Sequence, residues 1–194
     1  AKDTEGAIED AKMTVSLKPH LNQMWQLIGF LYYQAKNFSD AVEALRNAHK
    51  NEPENPEFMV QLGDFLRHDN KASEAISILK KAIGVAPENA DAWNNLGVVF
   101  QHEKNLVEAK ITWRKALTLN PGSAAILSNL GSMAKEAEEW EASLRYFGKA
   151  LEIEPNLAEA QGNFANTLKA LGRLEEAEAS YKQAIALNPD FAEA

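Results

Sequence analysis

No cysteine occurs among the 194 residues, which excludes disulfides and thiolate metal sites and favours a reducing, cytoplasmic setting. Long apolar runs are also missing: none approaches the roughly 18 residues of a membrane-spanning helix. The opening AKDTEGAIED has neither the basic-then-apolar order of a signal peptide nor a start methionine, so the sequence reads as a processed chain or an excerpt. Positive charge is in short supply. The net charge of −8 argues against the clustered Lys and Arg of a nucleic-acid footprint. The acidity is uneven, since residues 124–194 carry 6 bases and 12 acids while residues 56–123 carry 8 of each. Catalytic signatures are absent as well. There is no GxxxxGK, GxGxxG, HExxH or GxSxG, so a non-enzyme without cofactor or metal is expected. His68 and His102 lie one period apart, but on neighbouring helices roughly 8–10 Å apart two imidazoles do not easily share an ion.

What the sequence does contain is a period. Pro19, Pro53, Pro87, Pro121, Pro155 and Pro189 stand 34 residues apart, and only Pro56 falls outside the series. Self-similarity at that spacing means a stacked array of supersecondary units. The same residue classes recur behind the prolines, most clearly as Trp93, Leu96, Gly97, Phe100, Ala109, Trp113, Ala116 and Pro121.

These positions resemble the tetratricopeptide repeat (TPR) motif, a helix A, a turn and a helix B. The resemblance implies an all-α fold, a right-handed superhelix (α-solenoid) of antiparallel helix pairs with eleven main helices. On this register residues 1–21 are helix B of a partial upstream repeat. Repeats follow at 22–55, 56–89, 90–123, 124–157 and 158–191, and residues 192–194 begin another, all in one continuous solenoid domain. Two positions depart from the pattern: Ala134, where a large side chain is usual, and Gln161, where an aromatic is usual.

Packing physics agrees with the register. Gly29, Gly63, Gly97, Gly131 and Ala165 keep one face of helix A small, and Ala48, Ala82, Ala116, Ala150 and Ala184 do so on helix B, so helices can approach closely. Asn55, Asn89 and Ser123 stand where an N-cap would start the next helix A, and Pro56 occupies a first-turn position that tolerates proline. The turn inside each repeat usually needs glycine, yet only Gly172 supplies it. Lys36, Asn70, Lys104 and Glu138 fill the others, and a strained or differently wound turn is expected there. A basic row late in helix B, including Arg46, Lys80, Arg114 and Lys182, complements the helix dipole and solubilises that face.

The stretch DAWNNLG, residues 91–97, places two poor helix formers side by side in a helix. The position of Asn95 recurs as Asn129 and Asn163, and as Gln61 one repeat earlier. This ladder of amides, with Asn166, resembles the superhelical TPR arrays of O-linked N-acetylglucosamine transferases and bacterial relatives, in which groove asparagines hold a peptide backbone. The resemblance implies a protein or peptide partner in the concave groove, held by Gln61, Asn94, Asn95, Gln101, Asn129, Asn163 and Asn166. Lys135 and Lys169 would set selectivity at one end, and Phe30 and Tyr33 at the other. The carboxylate clamp of chaperone-binding TPRs is not present, because its positions hold Val60, Asp64, Asn94 and Val98.

Three alternatives stand beside this expectation. The amides can instead bond neighbouring A helices. The array can be the substrate-recruiting arm of a larger, glycosyltransferase-like enzyme. It can also self-associate through its ends or through the first helix A, QMWQLIGFLYYQ, which is apolar nearly all round with Leu27, Phe30 and Tyr33 toward the groove.

Overall fold

Where the prolines recur, helices stop. The computed structural model describes residues 2–188, with side chains from residue 5 onward. Pro189 and the expected new repeat at 192–194 lie outside the described residues. Eleven α-helices and no strand are found among those described: α1 (Lys2–Leu17), α2 (Asn22–Gln34), α3 (Phe38–Asn51), α4 (Pro56–His68), α5 (Ala72–Val85), α6 (Ala90–His102), α7 (Leu106–Leu119), α8 (Ala124–Glu136), α9 (Trp140–Ile153), α10 (Ala158–Ala170) and α11 (Leu174–Leu187). Even-numbered helices are the A helices of the 34-residue units, and odd-numbered ones the B helices. The chain divides into two compact units, Ala1–Asn105 and Leu106–Ala194, so the division falls at the inner turn of the third repeat.

Caps set the helix starts. The side-chain oxygens of Asn55, Asn89 and Ser123 accept from the backbone N–H groups of Glu57 (3.0 Å), Ala92 (3.0 Å) and Ile126 (3.4 Å). Each satisfies a donor that the first helical turn leaves without a partner. Pro56 opens α4, where a missing N–H costs nothing.

Within the first unit α2 packs on α3 and α4 on α5; within the second α8 packs on α9 and α10 on α11. Small residues make these approaches close. A Cβ on Gly63 would lie 2.5 Å from Cγ of the fully buried Leu79. The helix-B alanines Ala48, Ala82, Ala116, Ala150 and Ala184 are all buried, as the register requires. The indole N–H groups of Trp25 and Trp93 donate to the carbonyls of Pro19 and Pro87, both at 2.8 Å, pinning the first turn of an A helix to the preceding proline turn. At the equivalent position Gln161 is buried and donates to Gln183 Oε1 of its own helix B at 2.7 Å, so the departure from an aromatic is absorbed by an amide pair.

Of the two alternatives expected for the inner turns, strain or a different winding, the structure shows the strained one. All five are the same turn: the N–H groups of Asn37, Lys71, Asn105, Glu139 and Arg173 reach back to the carbonyls of Tyr32, Leu66, Phe100, Ala134 and Leu168 at 2.8–3.0 Å. This 6→1 bond closes a helix C-terminus around one left-handed residue. That residue is Lys36, Asn70, Lys104 and Glu138 at φ 57–60°, and Gly172 at φ 75°. A non-glycine residue there costs roughly 1–2 kcal/mol, less for Asn. The variant Glu138→Gly should therefore gain about 0.5–1 kcal/mol once the extra freedom of the unfolded chain is deducted, and Asn70→Gly less. Urea midpoints of the two variants check this, and a loss of stability for Glu138→Gly would contradict it.

Candidate functional site

A-helix residues that do not face the core form the face on which the ladder positions stand. In the second unit, α8 and α10 leave between them a cleft of about 440 Å3. Ala125, Ser128, Asn129 and Ser132 of α8 and Ala158, Glu159, Ala160 and Asn163 of α10 line it, together with Glu154, Asn156 and Leu157 from the connection between α9 and α10. Phe147, fully buried on α9, contributes to the lining from below. Two of the expected rungs, Asn129 and Asn163, thus meet in one cavity.

Lys135 also joins them. Its Nζ donates to Asn163 Oδ1 at 2.6 Å. An ammonium can only donate, so the amide oxygen must face Lys135 and the two N–H donors of Asn163 are turned elsewhere; among the described residues they have no protein acceptor. Ser128 adds a second unspent group, a buried hydroxyl without a hydrogen-bond partner. Such a group favours an incoming acceptor or donor, because leaving it unpaired costs about 1–3 kcal/mol.

The first unit arranges its rungs differently. Gln61 accepts from Gln26 Nε2 of the preceding A helix at 3.1 Å. Asn95, half-buried on α6, has no hydrogen-bond partner among the described residues. Phe30 and Leu27 are exposed, at 51% and 40%. Tyr33 is not an open groove residue: its ring stacks on Phe65 with centroids 4.7 Å apart, its edge meets Phe38, and its hydroxyl lies 2.7 Å from His68 Nε2. Burial, and then the Asp64 carboxylate, push the Tyr33 phenol above its ordinary pKa. Asn166 is likewise turned aside, accepting from the Tyr181 hydroxyl of α11 at 2.6 Å. Asn94 and Gln101 are half-buried on α6, and Lys169 is exposed in the last turn of α10.

Sequence reasoning missed Gln26, Ser128, Ser132, Glu154 and Glu159. Ser128 and Ser132 were within reach, since they flank Asn129 at spacings of one and three on a helix already assigned. Part of the basic row is engaged as expected of a solvated face: Arg46 pairs with Glu74 at 2.6 Å and Lys182 with Glu178 at 2.6 Å.

In the first unit His68 and His49 both resist protonation. Burial, and then Arg67, hold the His68 pKa below its ordinary 6.5, with Asp64 opposing and His102 adding repulsion. Burial, and then Lys81, lower His49, with Glu54 opposing. For groups with depressed folded values the native state resists protonation, so their neutral forms hold stability above pH 6.5 that is lost as pH falls through the folded values. The double variant His49→Gln/His68→Gln should show a flatter melting-temperature profile than the native chain between about pH 7 and pH 5. An equally steep profile would contradict it.

The sequence matches the description "Tetratricopeptide repeat" over residues 122–190 and again over 90–123, and "YpiA-like, C-terminal tetratricopeptide repeats" over 25–89. No curated protein matches it. Among solved structures it is similar to MamA, with 23% identity and a TM-score of 0.68 over 86% of this chain and 98% of that one. It is similar to PilW, described as a widely conserved type IV pilus biogenesis factor, with 21% identity and a TM-score of 0.81 over 97% and 87%. Pseudomonas aeruginosa PilF gives 21% identity and a TM-score of 0.75 over 89% and 83%.

Proposed function

The chain belongs to the tetratricopeptide repeat family, and from that premise we propose that it is a non-catalytic protein-interaction scaffold holding an extended peptide segment of a partner on its A-helix face. Asn129 and Asn163 read the main chain of that segment in the second unit; Gln61 and Asn95 are the amides at the equivalent repeat positions of the first. The observation that carries this reading is the α8–α10 cleft, where two amides at equivalent repeat positions share one cavity with two serines. Helix spacing of roughly 10 Å corresponds to about three residues of extended chain, so equivalent rungs meet equivalent backbone groups. The bonds from Gln26 to Gln61 and from Lys135 to Asn163 favour a second reading, in which the amides mainly tie A helices together.

Panning a random 12-residue peptide library against the native chain, and in parallel against Asn129→Ala/Asn163→Ala, distinguishes the two. Peptides enriched on the native chain and not on the variant support the peptide-holding role. Equal enrichment on both, or none on the native chain, overturns it.

A further inference from the structure

We propose that the α8–α10 cleft selects peptide segments carrying a lysine or arginine whose side chain reaches Glu154 and Glu159. The proposal rests on the peptide-holding reading and adds to it a charge requirement.

The first support is the polarity of the cleft. With its oxygen taken by Lys135, Asn163 offers donors, which suit a main-chain carbonyl of the peptide. The neighbourhood of that carbonyl carries both signs, with the Lys135 ammonium on the oxygen side of Asn163 and two carboxylates, Glu154 and Glu159, in the cleft lining. Glu159 stands one helical turn before Asn163 on α10, about 6 Å along the axis, within reach of a Lys or Arg side chain on a residue adjacent to the held carbonyl. Glu154 lines the same cleft.

The second support comes from comparing repeats. Glu154 caps the C-terminal end of α9, where the partial negative charge of the last carbonyls makes a carboxylate unfavourable. One finds the same residue 102 positions earlier as Glu52, the C-cap of α3. There the carboxylate is compensated by two amide donors, Asn22 Nδ2 to Oε1 and Asn55 Nδ2 to Oε2 at 2.8 Å. The positions equivalent to Asn22 and Asn55 are Ala124 and Leu157, neither of which carries a side-chain donor. Glu154 therefore stands at a helix C-terminus without the amide donors that the fold supplies to its counterpart. Glu154 and Glu159 are exposed and have no ion-pair partner among the described residues, and unlike the other exposed glutamates of this unit they line the cleft. A peptide cation supplies what is missing.

The test uses the same peptide library on the native chain and on Glu154→Gln/Glu159→Gln, two exposed substitutions whose folding circular dichroism confirms. A basic residue at a fixed place in the peptides enriched on the native chain is expected, and no such preference on the variant. Replacing that residue by norleucine in one enriched peptide should weaken binding to the native chain about fivefold, as measured by fluorescence anisotropy, and leave binding to the variant unchanged. Peptides that bind through Asn129 and Asn163 but show no basic preference would overturn the charge requirement and leave the scaffold role standing. Absence of any enriched peptide would overturn both.

Discussion

The variant Asn129→Ala/Asn163→Ala should bind a peptide selected on the native chain about thirtyfold more weakly, with a melting temperature close to native. Each amide in contact with a peptide main chain contributes about 1 kcal/mol net, so the two rungs together weigh about 2 kcal/mol, enough for a factor of about thirty in Kd. Stability responds to other terms. Alanine exceeds asparagine in helix propensity by several tenths of a kcal/mol at each site. Against that stand the interaction that Asn129 makes within the chain and the lost bond from Lys135 to Asn163, which the ammonium can replace with water at this half-buried position. The two quantities on one variant separate the peptide track from the helix tie. Unchanged affinity with a melting temperature lowered by many degrees would make the amides structural and end the peptide-holding role.

A much larger loss of stability is expected for Phe147→Ala, about 3–5 kcal/mol, measured from guanidinium midpoints. Phe147 is fully buried on α9, and its ring lies against the backbone of Gly131, where a Cβ would stand 3.0 Å from three ring atoms. Neither side can fill the void. Gly131 has no side chain to move into it, and the α8 backbone is held by its own hydrogen bonds. Because Phe147 also lines the cleft, the variant should lose peptide binding along with stability. The reciprocal change Gly131→Ala overpacks the same contact and should cost about 1–3 kcal/mol. A loss below about 1 kcal/mol for Phe147→Ala would show that the two helices can close on each other, contrary to the tight packing described.

The helices, their caps and the small-residue contacts were legible because each depends on residues close in sequence or on a strict period. Asn55 as a cap needs only the N–H two residues on, and Gly63 against Leu79 repeats in class as Gly131 against Phe147. The inner turns were half legible. Glycine at 172 pointed to a left-handed position, but that Lys36, Lys104 and Glu138 accept the same conformation follows only from the 6→1 bonds that pull them into it.

By itself, then, the 34-residue pattern determined that this protein is a stack of helix pairs with a polar ladder on its A helices, since backbone periodicity and burial are properties of residue class and spacing. Tertiary structure decided which rungs face a cleft and which are already occupied. Tyr33 went to Phe65 and His68, Asn166 to Tyr181 and Gln61 to Gln26, while Asn163 was turned by Lys135 so that its donors stay unspent. Glu154 was left without the amides that compensate Glu52. The physical reason is reach: a long polar side chain finds several partners within a few ångströms at similar energy, and only the packed neighbours on adjoining helices settle which one it takes.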